Sequence, residues 1–251
     1  MTAERFFAAQ QPGKDPQDFH PVDDSGHVAM QQNLVVTFVA DLVCPWCRIA
    51  FHILLPLAER LGCELLWHPF LLNPGMPPQG VPRRLYLERK FGSLDAAAAA
   101  LRRVVRRAAA QRLAFAFDRI TRQPDTVPAQ ALLLEAQEAG RLVPFATAAF
   151  RAFFEEGGDL GDPELLAALA EQAGLGPEAR AAAASLDRRA RVRAAHKRAL
   201  AREIDGVPTL LVPGVGVLAG AQPAEVFEGF LELGLWAATR GSGPAQGRQG
   251  S

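Results

Sequence analysis

The chain is poor in cysteine. Three cysteines in 251 residues cannot build a disulfide-stapled scaffold, and one pair plus a leftover does not complete a four-ligand zinc site, so no metal is expected. Net charge is missing as well: 27 Lys+Arg stand against 27 Asp+Glu, which excludes a generic polyanion binder. Lysine is confined to Lys14, Lys90 and Lys197, so the positive charge is nearly all arginine. No apolar run reaches the ~18 residues of a membrane span. The best candidate, residues 210–221, is broken by Pro213, Gly214, Gly216 and Gly220. The start of the chain lacks a charged stretch followed by an apolar one, since Arg5-Phe6-Phe7 runs into Gln10-Gln11-Pro12-Gly13. No signal peptide is therefore expected. The expected compartment is the reducing cytoplasm, where a cysteine pair is more often catalytic than structural.

What is present is a globular pattern with 49 % hydrophobic residues. Residues 1–32 are polar and aperiodic and read as a loose tail. Residues 34–40 form a β-prone run, read as a strand buried on both faces. Pro45 then opens a segment with Ile49, Ile53, Leu54, Leu57 and Leu61 at helical spacing, ended by Gly62. Residues 63–72 read as a second strand, parallel to the first, which makes a βαβ unit. From 81 to 202 the periodicity is helical, with roughly five to seven helices expected. Asp162-Pro163-Glu164 starts one of them with a cap, a first-turn proline and an acid. Strand character returns at 208–212 and 215–218, joined by a Pro213-Gly214 turn. A last helix over 222–233 is expected to face inward with Val226, Phe227, Phe230 and Leu231, and a flexible tail to follow.

The chemistry concentrates at Cys44-Pro45-Trp46-Cys47. This tetrapeptide follows a buried strand and opens a helix. Residues three apart on a helix share a face, so the two sulfurs can meet. A helix amino terminus carries unpaired N–H groups and about half a positive charge. Both favour a thiolate at Cys44, expected to face outward as the nucleophile, with Cys47 one turn deeper to resolve the mixed disulfide. Asp41, three residues upstream, is either a proton relay for Cys47 or a loop cap, and the cap is the commoner use of a turn aspartate. Gly206-Val207-Pro208-Thr209 starts a strand with a residue that cannot donate to a ladder. A cis bond there would mark a functional turn, while a trans proline at a strand start is the commoner case. Cys63 is expected to be a small buried hydrophobe and His68 structural. The arginine-rich stretches at 102–107 and 188–202 read as solvated faces paired with glutamates.

The ordered series Asp41-Leu42-Val43-Cys44-Pro45-Trp46-Cys47, Trp67-His68-Pro69-Phe70-Leu71-Leu72-Asn73-Pro74, residues 86–92, Asp125-Thr126, Phe150-Arg151-Ala152-Phe153-Phe154, Gly206-Val207-Pro208-Thr209 and Gly220-Ala221-Gln222 resembles the DsbA-like branch of the thioredoxin superfamily, FrnE type. The resemblance spans about 34–235. It implies an α/β thioredoxin fold (βαβ…ββα) interrupted by a large all-helical insertion. The thioredoxin-like part would be 33–78 and 204–237, the insertion 79–203, and the tails 1–32 and 238–251. It implies that Pro208 is cis beside the cysteine pair, that Val207 pairs through its backbone with bound substrate, and that Pro45, Trp46, Gly220 and Ala221 line the groove. Two departures stand out. The family's Asn-Thr and Ala-His-Arg-Leu are here Asp125-Thr126 and Ala129-Gln130-Ala131-Leu132. The acid that thioredoxins carry six residues before the first cysteine is here Phe38.

The leading functional expectation is a cytoplasmic protein-disulfide oxidoreductase with Cys44 and Cys47 as catalytic residues. It would act on thiol- or disulfide-bearing proteins or small molecules. Its redox centre would be the cysteine pair itself, with no other cofactor and glutathione as a candidate co-substrate. Nucleic acid and membrane are not expected partners, and the state is a monomer or homodimer. Two alternatives belong to other classes: a glutathione-dependent isomerase or transferase of the related kappa-type fold, and a non-catalytic thioredoxin-like adaptor.

Overall fold

The computed structural model describes residues 34–241. The tail expected at 1–32 and most of that expected at 238–251 lie outside the described residues.

The first strand, β1 (Val35–Ala40), leads into helix α1 (Pro45–Leu61) and back to β2 (Glu64–Pro69). Local signals explain this unit. Pro45 occupies the first turn, where its missing N–H is harmless, and Gly62 closes the helix at φ 66° while its N–H reaches back to Ala58 and Glu59. The two strands are parallel, with Phe38 beside Trp67. After the insertion come β5 (Thr209–Val212), β6 (Gly216–Ala219) and helix α9 (Ala224–Gly241). Strand β5 runs antiparallel to β1 and pairs with β6, giving the order β2-β1-β5-β6. This is the expected α/β thioredoxin sheet with its helical interruption.

Between the halves lie seven helices: α2 (Arg83–Phe91), α3 (Leu94–Ala109), α4 (Val127–Glu138), α5 (Leu142–Phe154), α6 (Pro163–Gln172), α7 (Ala179–Ala184) and α8 (Leu186–Ala201). A two-residue antiparallel bridge, β3 (Val81–Pro82) with β4 (Arg122–Gln123), was not foreseen. Asp162 caps α6 as expected, accepting the Glu164 N–H at 2.9 Å.

Alternation along β1 sends Val36, Phe38 and Ala40 into the main core and Val39 to the other face. That main core is continuous across both parts of the chain, joining Ile49 and Leu54 of α1 with Leu132 of α4 and Phe150 of α5. Phe38, Phe51, Trp67 and Phe150 form its aromatic centre, with ring centroids 5.5–6.0 Å apart. The opposite face is covered by Phe70, Ala199 and Ile204.

Helix α9 corrects two expectations. It continues to Gly241, past the start of the tail expected at 238. Its buried face is Phe227, Leu231 and Gly234, while Val226 is exposed. Gly234 is the reason: a Cβ there would come within 2.4 Å of a Val212 methyl and 2.7 Å of a Leu34 methyl. The helix approaches the sheet through a residue with no side chain, which a count of apolar positions overlooks.

Candidate active site

Cys44 is the N-cap of α1, and its sulfur does what a serine oxygen would do at such a place. Its Sγ accepts the backbone N–H of Cys47 at 3.4 Å. Its own S–H donates to the carbonyl of Val207 at 3.7 Å, across 163 residues of sequence. A tight turn sets this geometry, because the Cys44 N–H donates to the Asp41 carbonyl at 3.0 Å. Both cysteines are free thiols. The expectation that Cys44 faces outward is corrected: it is only 3 % exposed and Cys47 is wholly buried. The Val207 carbonyl lying over the helix start comes from a distant loop, so nothing near Cys44 in sequence announces it.

That loop is well held. The Val207–Pro208 bond is cis, and Pro208 is buried while Val207 is half-buried. The Thr209 hydroxyl donates to the Gly206 carbonyl at 2.8 Å. The Pro208 carbonyl accepts the N–H of Gly220 at 2.8 Å, which extends the β5–β6 pairing and brings Gly220 beside the proline. Gly220 stands at φ 85°, a conformation that a side chain would oppose. Ala221 and Trp46 are half-buried, as is Pro45 at the helix start.

Asp41 is fully buried, and its carboxyl bonds the Val43 backbone two residues on, as a loop cap does. Its Oδ2 accepts the Leu72 N–H at 2.8 Å and its Oδ1 the Gln130 amide at 3.4 Å. Burial lifts its pKa from 3.8 to about 6, opposed by hydrogen bonds from Leu72, Thr126, Val43 and Gln130. Burial likewise pushes the Cys47 thiol well above its ordinary value. The hydrogen bond and charge of Cys44 and the charge of Asp41 add to this, and a backbone hydrogen bond from Asp41 works the other way. Cys47 thus lies within electrostatic reach of Asp41.

Gln130 is the site residue that sequence reasoning missed. It is fully buried on α4. Its Oε1 accepts the Trp67 indole N–H at 2.8 Å, and its Nε2 lies 3.2 Å from the carbonyls of Ala40 and Phe70. The available signal was a lone amide inside the apolar run 127–134, because a buried amide needs partners.

Comparison with known proteins follows the same lines. Residues 35–232 match the model of the DSBA-like thioredoxin domain. The chain belongs to the DSBA-like thioredoxin family. Among solved structures, a probable DsbA oxidoreductase from Streptomyces coelicolor is 30 % identical, with a TM-score of 0.71, covering 87 % of this chain and 98 % of that one. A cytosolic disulfide reductase, DsbM, from Pseudomonas aeruginosa, solved with GSH, shares the fold at 23 % identity and a TM-score of 0.61, covering 81 % of this chain and 100 % of that one. The Bacillus subtilis (strain 168) protein YwbO is 28 % identical over 195 residues, 75 % of this chain and 91 % of that protein.

Within this DSBA-like domain the missing upstream acid has a physical account. Phe38 occupies that place and belongs to the aromatic centre, 5.5 Å from Trp67. The buried acid of this region is Asp41, in the turn before Cys44. Arg48, the residue after Cys47, is buried with its guanidinium beside the rings of Phe115 and Phe154, at 5.1 and 5.9 Å. It donates to the Phe150 carbonyl at 2.7 Å and pairs with Glu155, which ties the first turn of α1 to the insertion. Burial lowers its pKa although Glu155 opposes this.

The remaining candidates are structural. His68 bonds the Ala195 carbonyl at 2.9 Å. Cys63 is half-exposed rather than buried as expected, because it follows the helix-closing Gly62 at the sheet margin. Arg188 pairs with Glu135 and Glu138, and Arg191 with Glu138. Among the described residues, no group of three His, Cys, Asp or Glu could hold a metal ion, and no helix is long and apolar enough to cross a membrane.

Proposed function

We propose that this DSBA-like protein is a cytoplasmic thiol–disulfide oxidoreductase of the FrnE type, working through Cys44 and Cys47 on protein or small-molecule disulfides. The observation that carries the reading is the sulfur of Cys44 at a helix amino terminus, facing the Cys47 N–H at 3.4 Å. That N–H and the start of the helix converge on the sulfur that would attack a substrate disulfide.

In the reductive direction, the Cys44 thiolate attacks one sulfur of a substrate disulfide. A Cys44–substrate disulfide forms, the substrate S–S bond breaks, and the electron pair leaves with the other substrate sulfur. Cys47 then gives its proton to Asp41 and attacks Cys44. The Cys44–Cys47 bond forms and the second substrate sulfur departs as a thiolate, protonated in turn by Asp41 or by solvent. The substrate disulfide is reduced to two thiols and the cysteine pair is oxidised. A thiol such as glutathione is proposed to restore the pair. The DsbM structure shows that this fold accommodates that thiol in a relative. Val207, Pro208, Gly220, Ala221, Pro45 and Trp46 are proposed as the groove that holds the substrate segment, with the Val207 backbone exchanging its bond to Cys44 for one to the substrate.

The test is a glutathione redox titration of the Cys44–Cys47 couple. Trp46 brings no positive charge between the cysteines, so the expected potential lies nearer the thioredoxin value of about −270 mV than the oxidant value of about −120 mV. A couple near the oxidant value would reverse the direction. Absence of a two-electron transition would remove the reading.

A further inference from the structure

We propose that Gln130 is a positioning residue of the exchange reaction: it orients the Asp41 carboxyl toward Cys47 and sets the pH at which that carboxyl can take the Cys47 proton. The inference rests on the reading of Asp41 as proton acceptor and goes beyond it, since Gln130 touches neither sulfur.

The orientation of the Gln130 amide is decided by chemistry. The Trp67 indole N–H is a donor only, so the Gln130 atom 2.8 Å from it must be oxygen. The nitrogen therefore faces the other side, where it has three acceptors: the Ala40 carbonyl at 3.2 Å, the Phe70 carbonyl at 3.2 Å and Asp41 Oδ1 at 3.4 Å. An amide nitrogen carries two hydrogens, so one acceptor goes short at any moment. Two acceptors are neutral carbonyls of the strand ends that flank the site. The third changes charge. When Asp41 is ionised it is the strongest acceptor and draws a hydrogen; when it is protonated the amide can return both to the carbonyls. The amide thus favours the ionised carboxyl, while staying anchored at its oxygen.

Gln130 shares this task with the Thr126 hydroxyl and the backbone of the turn. The titratable group facing Asp41 from α1 is Cys47, which Cys44 faces in turn. From the segment after β2 the contact is the Leu72 N–H, and the neighbouring His196 of α8 accepts the Leu71 N–H with Nδ1 instead. From the start of α4 the contact is the Thr126 hydroxyl, while Asp125 accepts the Val127 N–H at 3.1 Å. Unlike the Leu72 N–H, which the backbone fixes, the Gln130 amide is held by a side chain from a separate helix. A substitution can remove it without moving the turn that bears Asp41.

The experiment uses the full chain in a Cys63→Ser background. Reduced protein is mixed with Ellman's reagent, and the two releases of thionitrobenzoate are timed across pH 4–8. The first reports attack by Cys44. The second reports attack of Cys47 on the mixed disulfide, and its rate relative to the first is expected to rise through an inflection near the Asp41 value of about 6. Asp41→Asn is expected to abolish that inflection. Gln130→Met, which keeps the volume and removes the donor, is expected to move it measurably upward, by less than about one pH unit because Leu72, Thr126 and Val43 still bond the carboxyl. Trp67→Phe, which frees the amide oxygen but keeps an aromatic ring, is expected to move it in the same direction, and it decides the matter should Gln130→Met not fold. An inflection unmoved in Gln130→Met, or unmoved in Trp67→Phe if only that variant folds, overturns the role of Gln130 and leaves Asp41 standing. An inflection that survives Asp41→Asn removes the proton acceptor and the inference with it.

Discussion

The Asp41 carboxyl and the Cys47 thiol are both fully buried, and the charge of the first adds to the upward push on the second. An ionised Asp41 therefore disfavours a Cys47 thiolate in the same dry interior. A proton passing between them adds no net charge to the interior, which is what the resolving step requires of a thiol held away from water.

This arrangement has a measurable stability signature. Asp41 keeps its proton in the folded protein up to about pH 6, whereas its ordinary value is 3.8. Between those limits the folded state binds more protons than the unfolded state, so stability falls as pH rises through the window. Above it the penalty is constant, on the order of 3 kcal/mol. Asp41→Asn lacks this slope. It is expected to be more stable than wild type at neutral pH by about 1–3 kcal/mol, the lower end reflecting its own amide facing Gln130, with the difference shrinking toward pH 4. Urea unfolding at both pH values checks this. A variant destabilised equally at both would show that the carboxyl is not strained.

Alkylation should separate the thiols. Cys47 is wholly buried with its thiol pushed well up, and burial also raises the half-exposed Cys63. Brief iodoacetamide treatment of the reduced protein at neutral pH, followed by peptide mass analysis, is expected to label Cys44, at the helix start, well before Cys47. Labelling of Cys47 as fast as Cys44 contradicts the assigned order.

The same order predicts a trapping asymmetry. Cys47→Ser cannot resolve the mixed disulfide at Cys44, so covalent adducts with substrate proteins should accumulate on non-reducing gels. Cys44→Ser should accumulate none at the pair. Equal adducts in both variants would mean that Cys47 attacks first.

Much of this was legible in the sequence because the signals are local. Pro45 at a helix start, Gly62 at its end and the β-prone run before Cys44 place the cysteine pair without any tertiary information. What was hidden came from far along the chain. Cys44 is covered from Val207, and Asp41 is held by Leu72 and Gln130. The turn around Asp41 announces its bond to Val43 but not the partners that bury it. The buried face of α9 was half-read for another reason, since Gly234 contributes to packing by its lack of a side chain.

The tie between α1 and the insertion is also testable. Glu155→Ala leaves the Arg48 guanidinium buried with only the Phe150 carbonyl and two aromatic rings. Removing a partner from a fully buried pair costs about 3–5 kcal/mol. Glu155 is 35 % exposed, so a loss of about 1–3 kcal/mol is expected in denaturant unfolding. A change within about 0.5 kcal/mol would show that the aromatic rings and the carbonyl suffice.

The most direct measurement is insulin reduction, with dithiothreitol as the reductant, by wild type, Cys44→Ser and Cys47→Ser. The account predicts that wild type precipitates the insulin B chain well ahead of the uncatalysed reaction and that Cys44→Ser falls back to the uncatalysed rate, with Cys47→Ser strongly impaired. A folded wild-type protein that gives no acceleration, or a Cys44→Ser variant as active as wild type, would contradict it.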